Sequence, residues 1–113
     1  MEKHIFAAAS FYNKKYFFDE ACADIPGGVQ AELSAFCKSA AEMIQGIFYA
    51  AYDDNDIIFG SQSAEDDLNF DEIGARLITD RMVDENPELV KSLRLWHALY
   101  KTEQGKKIRK QYS

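Results

Sequence analysis

The stretch PGGVQAELSAFCKSAAEMIQGIFYAAYDDNDIIFG, residues 26–60, decides the fold. Its first half spaces apolar residues as one face of a helix requires. They are Val29, Leu33, Phe36, Cys37, Ala40, Met43 and Ile44. On a helical wheel they cover about 120°, which predicts an amphipathic helix with one side in the core. Pro26 suits the first helical position, and Gly46 suits the position after the end.

The second half of this stretch predicts a β-hairpin. Residues 47–52 are rich in strand formers, the polar run 53–56 predicts a turn, and residues 57–60 return as a second strand. Upstream, two aromatic-rich runs at 4–12 and 16–19 flank a short Asn-containing connection. That pattern predicts another hairpin, so one hairpin lies on each side of the helix.

Two further helices are predicted after the second hairpin. One covers about Phe70 to Asp84, and the other starts with Asn86 as N-cap and Pro87 as first helical residue and runs to about Thr102. The order β-β-α-β-β-α-α predicts an α+β fold. We expect two layers: a four-stranded antiparallel sheet made from the two hairpins, with the helices packed on one face.

The charge pattern divides the chain into an acidic middle and a basic end. The 113 residues carry 13 Lys and Arg against 19 Asp and Glu, a formal charge of −6. Between Ser39 and Ala75 there is no Lys or Arg, whereas residues 106–113 are basic. We expect one domain over residues 1–105 and a basic C-terminal tail at 106–113. An acidic chain is a poor general partner for nucleic acid, so that class of function is disfavoured.

Features that the sequence lacks lead to expectations about the cellular compartment and about cofactors. The chain has no apolar run of 18 residues and no signal-peptide pattern at its N-terminus, so we expect a cytoplasmic protein without a membrane partner. Two cysteines, Cys22 and Cys37, are too few for a disulfide framework or a structural zinc site. The acids of the middle region fit no EF-hand loop. We therefore expect no metal and no cofactor.

The last predicted helix has an apolar surface wider than one neighbour can cover. A stripe through Leu89, Leu93 and Trp96 is widened by residues on both flanks, to an arc of about 220° where a one-sided helix needs about 100° or more. The second cover that such an arc requires predicts a homodimer. Leu95, Trp96 and Leu99 are the expected interface residues.

No pattern of catalytic residues is found. His97 is the best placed general base, because His4 lies near the terminus, and no Ser or Cys occurs in a nucleophile-elbow context. We therefore favour a protein that is not an enzyme. An alternative is an aromatic-lined pocket that binds a small molecule, made by Tyr12, Tyr16, Tyr49, Tyr52 and His97.

Three motifs carry a family resemblance. They are Asp71-Glu72-Ile73-Gly74-Ala75 after Phe70, the segment Ala7–Phe18 with its Asn13-Lys14-Lys15 turn, and the helix from Glu88 to Tyr100. Together they resemble an uncharacterised family of small bacterial cytoplasmic proteins, with Phe17 and Phe70 where that family has Tyr. The resemblance implies no activity and no site residues. The order of elements is also similar to roadblock/profilin-like scaffolds, although without their leading helix.

Two hypotheses about function remain open at this point. The first is a homodimeric interaction or regulatory module that is not an enzyme and has an unknown protein partner. The second is a small-molecule binding domain that uses the aromatic pocket.

Overall fold

A computed structural model of the chain describes residues 3–64 and 67–112. Within them the strands and helices follow one another along the chain. They are β1 (His4–Ser10), β2 (Tyr16–Phe18), a 3₁₀ turn (Glu20–Cys22), α1 (Gly27–Ile44), β3 (Ile47–Tyr52), β4 (Ile57–Gln62), α2 (Glu72–Glu85), α3 (Pro87–Tyr100) and α4 (Glu103–Tyr112). None of the helices in these two ranges is long and apolar enough to cross a membrane.

The four strands form one antiparallel sheet in the order β2-β1-β3-β4. The α+β class and the four-stranded antiparallel sheet are therefore confirmed. The two hairpins join through β1 and β3, where Ala8 lies opposite Tyr49 and Ala9 opposite Phe48. Directly opposed residues of an antiparallel pair point to the same side of the sheet, so the register assigns each strand residue to one of two faces.

One face of the sheet forms the core with α1. Its centre is lined by Ala7, Ala9 and Ala50, which are all buried, and their small side chains allow the helix to lie close to the strands. Phe36 of α1 reaches the sheet and packs edge-on against Phe48, with ring centroids 5.5 Å apart. Cys37, a predicted core residue of this helix, is fully buried in the same cluster.

A β-bulge in β1 ties the sheet to α3. The register with β3 shifts between Ile5 and Ala7, which leaves Phe6 as the extra residue. Phe6 is completely buried, and its ring centroid lies 5.4 Å from that of Trp96 on α3. A single inserted residue thus gives the core one of its largest buried side chains.

The ends of α1 differ in detail from the sequence prediction. Pro26 is the N-cap residue rather than the first residue of the helix. At the C-terminal end it is Gln45 that adopts the left-handed conformation, with φ 55°. Gly46 is required for a different reason, because a methyl group there would overlap the ring of Phe70. At the start of α3, Asn86 holds the N-cap position and Pro87 is the first helical residue, as predicted. The Asn86 side chain does not cap α3, however, and its Nδ2 donates to the Met82 carbonyl oxygen of α2 at 2.7 Å.

The basic segment at the C-terminal end is helical, which the sequence analysis did not foresee. The Thr102 hydroxyl accepts a hydrogen bond from the Gly105 N–H at 3.0 Å and so caps the first turn of α4. Arg109 Nε donates to the Leu99 carbonyl oxygen at 2.7 Å, and its guanidinium lies 4.1 Å from the centre of the Tyr100 ring. A cation at the C-terminal end of α3 is favourable for the helix dipole, so α4 folds back onto that end.

The close contact between α3 and α4 generates a prediction at Gly105. A methyl group at this position would overlap the carbonyl oxygen of Ala98, which belongs to the backbone and cannot move aside cheaply. We expect Gly105→Ala to release α4 from α3. Hydrogen exchange of the amides of residues 103–112 should then become faster, while the sheet amides keep their protection. Gln104→Ala, at an exposed neighbouring position, is the control and should leave the exchange unchanged.

Candidate functional site

The sheet face opposite α1 is the most distinctive surface of the molecule. We call it the outer face. By register it consists of ten strand positions: Ile5, Ala8, Ser10, Phe17, Ile47, Tyr49, Ala51, Ile58, Gly60 and Gln62. None of these residues belongs to the hydrophobic core that α1 and α3 share with the other face. The outer face is therefore a second, separate apolar surface.

The outer face is apolar, partly exposed and free of acids. Phe17 exposes 51% of its surface and Ile5 exposes 37%. None of the ten positions is charged, in a chain that carries 19 acidic residues. Lys3 lies at the rim, where its Nζ donates to the Tyr49 hydroxyl at 2.9 Å. An uncharged sheet face with exposed Phe17 and Ile5 is a candidate surface for interaction with another protein.

The structure changes the expectation for the interface on α3. Trp96 is only 3% exposed, packs on Phe6, and donates from Nε1 to Asp24 Oδ1 at 2.8 Å. It therefore stabilises the core of its own subunit and presents no surface to a partner. Leu99 is half-buried, and its carbonyl oxygen accepts the hydrogen bond from Arg109 of α4. Leu95, in contrast, is exposed. The core and α4 of the same chain thus cover part of the wide apolar arc, and Leu95 is left exposed.

Two of the five residues predicted for an aromatic pocket lie together. The Tyr52 and His97 ring centroids are 5.7 Å apart, and Tyr52 also packs edge-on against Trp96. His97 is 3% exposed, and its Nε2 donates to the Asp53 carbonyl oxygen at 2.7 Å. The imidazole therefore connects α3 to the turn between β3 and β4.

The other three tyrosines lie apart from that pair and from one another. Tyr49 is on the outer face, whereas Tyr16, opposite Ala9, is on the face covered by α1. Burial raises the pKa of Tyr16 far above its usual value, and its hydroxyl has no hydrogen-bond partner among the described residues. Tyr12 lies after β1 and donates to Asp67 Oδ2 at 2.6 Å. The five side chains therefore do not line one cavity.

Tyr49 does line a groove, between β4 and α2. The groove has a volume of about 590 Å³, with Phe59 and Phe70 among its apolar residues. Thr79 of α2 also lines it, is 4% exposed, and has a hydroxyl without a hydrogen-bond partner in the part of the chain that is described. Charged side chains also line it, those of Glu72, Arg76 and Asp80. An open groove that combines aromatic rings, charged groups and an unused buried hydroxyl is suited to a polar small molecule.

Sequence reasoning missed a cluster at the start of β1, which we call the His–Asp–Cys cluster. His4 Nε2 and Asp19 Oδ2 are 2.5 Å apart, and a His4 nitrogen, an Asp19 oxygen and Cys22 Sγ all lie within 4.8 Å of one another. No spacing motif in the sequence reveals this cluster, because His4 belongs to β1, Asp19 follows β2 and Cys22 ends the 3₁₀ turn. Pairing of β1 with β2 brings them together.

The electrostatics of the His–Asp–Cys cluster differ from those of an activated thiol. Burial raises the pKa of Cys22 to about 11, so the sulfur is a protonated thiol at neutral pH. The backbone N–H of Ala21, and then His4, hold the pKa of the Asp19 carboxyl below its usual value. A reactive cysteine needs a lowered pKa and exposure, and Cys22 has neither. A nitrogen, an oxygen and a sulfur donor grouped this closely are also the donor types that bind transition-metal ions.

Comparison with known proteins places the chain in a family. Residues 3–105 match a family of unknown function, DUF6145. The chain belongs to that family. No curated protein and no solved structure matches it. The expected resemblance to a family without an assigned function is therefore confirmed, while bacterial origin, cytoplasmic location and the likeness to roadblock/profilin-like scaffolds stay predictions. The DUF6145 match includes all ten positions of the outer face and the whole His–Asp–Cys cluster.

The contrast between Trp96 and Leu95 generates a stability prediction for this DUF6145 member. Trp96→Ala removes a buried indole and leaves Asp24 without its donor, so we expect the free energy of unfolding to fall by about 3–5 kcal/mol. Leu95→Ala, one residue away but 62% exposed, should change it by less than about 0.5 kcal/mol. Urea unfolding followed by circular dichroism measures both. A small loss for Trp96→Ala would contradict the burial described above.

Proposed function

We propose that this protein is a homodimeric interaction module, without catalytic activity, in which the outer faces of two sheets pack against each other. The observation that supports this proposal is the outer face itself: ten uncharged positions, mostly apolar, on an otherwise acidic chain. Burial of such a surface stabilises an association by roughly 25 cal/mol for each Å² of apolar area removed from water. The same apolar area contributes no such stabilisation while it stays in contact with water.

The charge of the chain favours a second copy as the occupant. Two molecules of formal charge −6 repel each other wherever acidic surfaces meet. The outer face has no acid at any of its ten positions, so two copies can pack its centre together without burying carboxylates, while Glu72 and Asp80 lie beside its β4 edge. A two-fold dimer sets a surface against itself, which suits a patch that is apolar rather than one that carries a single sign of charge.

Lys3 fits the edge of such an interface. Its ammonium lies 4.8 Å from the centre of the Tyr49 ring as well as donating to the hydroxyl of that residue. A lysine can cover apolar surface with its methylene groups while the charged end stays in water. Lys3 therefore adds apolar area at the rim without burying its charge in the dimer.

A matched set of three exposed apolar residues tests this proposal. Phe17 lies on the outer face, Leu77 on α2 and Leu95 on α3, and these side chains expose 51%, 65% and 62% of their surface. We expect Phe17→Glu to convert the dimer into a monomer, because the new carboxylates would be buried in the interface. Leu77→Glu and Leu95→Glu should both stay dimeric. Sedimentation velocity over a micromolar dilution series measures the outcome.

The same experiment can contradict the proposal in two ways. A wild-type chain that sediments as a monomer throughout the series excludes the homodimer. A dimer that survives Phe17→Glu but dissociates with Leu95→Glu moves the interface to α3, as the sequence alone suggested. Circular dichroism of each variant verifies that the fold is retained, since all three positions are exposed.

The groove between β4 and α2 supports a second candidate function, the binding of a small molecule. Thr79 is the specific observation, because a buried hydroxyl without a partner costs stability that a ligand can recover. We expect a thermal-shift screen of nucleotides and metabolites to raise the unfolding midpoint by several degrees for a ligand near 100 times its Kd. Thr79→Val keeps the shape and removes the hydroxyl, so it should abolish that shift without lowering stability. A flat screen would count against this function.

A further inference from the structure

The His–Asp–Cys cluster carries an inference that does not depend on the proposed dimer. We propose that His4, Asp19 and Cys22 bind a divalent transition-metal ion of the zinc type through Nε2, Oδ2 and Sγ. Imidazole nitrogen, carboxylate oxygen and thiolate sulfur are the three donor types that proteins offer to zinc. Three protein ligands leave a fourth tetrahedral position for water or an exogenous group.

The backbone holds the three ligand positions in place before any ion binds. The Asp19 N–H donates to the Phe6 carbonyl at 2.9 Å, which fixes the end of β2 beside β1. The Cys22 N–H donates to the Asp19 carbonyl, also at 2.9 Å, and so closes the 3₁₀ turn. Since ligands on a preorganised backbone lose little freedom on binding, this arrangement favours affinity.

The two oxygens of Asp19 are divided between two tasks. Oδ1 accepts from the Ala21 N–H at 2.9 Å and caps the 3₁₀ turn, while Oδ2 faces His4. A metal ion bound through Oδ2 would therefore leave the cap intact. The cap also fixes the orientation of the carboxylate. At metal centres, hydrogen bonds to the ligand side chains orient those side chains in the same way.

The distances need only small adjustments to fit an ion. Zinc forms bonds of about 2.0–2.3 Å, so ligand atoms in a tetrahedral site lie about 3.5 Å apart. His4 Nε2 and Asp19 Oδ2 would move apart from 2.5 Å, and Cys22 Sγ already lies within 4.8 Å of a His4 nitrogen and an Asp19 oxygen. The His4–Asp19 separation would grow by about 1 Å, which rotation of the half-exposed His4 side chain can supply.

The charges facing the cluster match a divalent ion. Lys101 and the carboxylates of Asp19 and Asp24 are the charged groups that act on Cys22. Metal binding displaces the Cys22 proton to solvent and creates a thiolate. The two carboxylates and the thiolate then carry three negative charges, which the ammonium of Lys101 and a doubly charged ion together balance.

A cobalt titration tests the metal site, and the second buried cysteine provides its control. The untagged full chain, with thiols reduced, is titrated with Co²⁺, which gives a thiolate-to-metal charge-transfer absorption only when sulfur is a ligand. We expect one equivalent to bind and Zn²⁺ to displace it. Cys22→Ala should abolish the absorption, while Cys37→Ala, which removes an equally buried thiol on α1, should keep it.

A second variant keeps the test decisive if Cys22→Ala fails to fold. His4→Gln changes a half-exposed side chain, so it should fold normally and weaken Zn²⁺ binding more than about tenfold in a competition titration. Absence of the charge-transfer absorption in the wild-type chain at excess Co²⁺ would overturn the proposal. Its persistence in Cys22→Ala, or an unchanged Zn²⁺ affinity in His4→Gln, would overturn it equally.

Discussion

The packing of α1 on an alanine-lined sheet is the constraint on which the rest of the structure depends. Ala7, Ala9 and Ala50 have side chains too short to hold a distant helix, so α1 must lie close to β1 and β3 to exclude water. This close approach commits one side of the sheet to the core. Because side chains alternate along a strand, it also commits the intervening residues, among them Phe17 and Tyr49, to the opposite side.

Local patterns in the sequence were sufficient for the elements but not for their arrangement. The periodic spacing of α1 and the runs of strand-forming residues around polar turns predict helices and strands, because each signal comes from residues close together in the sequence. The bulge at Phe6 carries no such signal, since it exists only as a mismatch between β1 and β3. The fold of α4 was missed for a related reason. Thr102 is an N-cap because its hydroxyl accepts from the Gly105 N–H. The close approach of Gly105 to the Ala98 backbone is not visible in the sequence.

The candidate sites were harder to predict, because they are made by pairing distant segments. The width of the apolar arc predicts Trp96 at an interface, but arc width does not distinguish a core neighbour, a following helix and a second subunit. In the sequence His4 lies near the terminus, yet β1 begins with it, opposite Tyr52. In the sequence Cys22 is one of two isolated cysteines, because the carboxylate and imidazole near it come from other elements.

The outer face and the His–Asp–Cys cluster use the two faces of the same strand. His4 pairs with Tyr52 on the side of the helices, and Ile5 pairs with Ala51 on the outer face. Between these pairs and the rest of β1 lies the bulge at Phe6, whose carbonyl also receives the Asp19 N–H. The two sites therefore share backbone but no side chain. An ion on His4 and Asp19 would fix the end of β1 that presents Ile5, so any coupling between the metal site and the dimer would have to pass through this bulge rather than through direct contact.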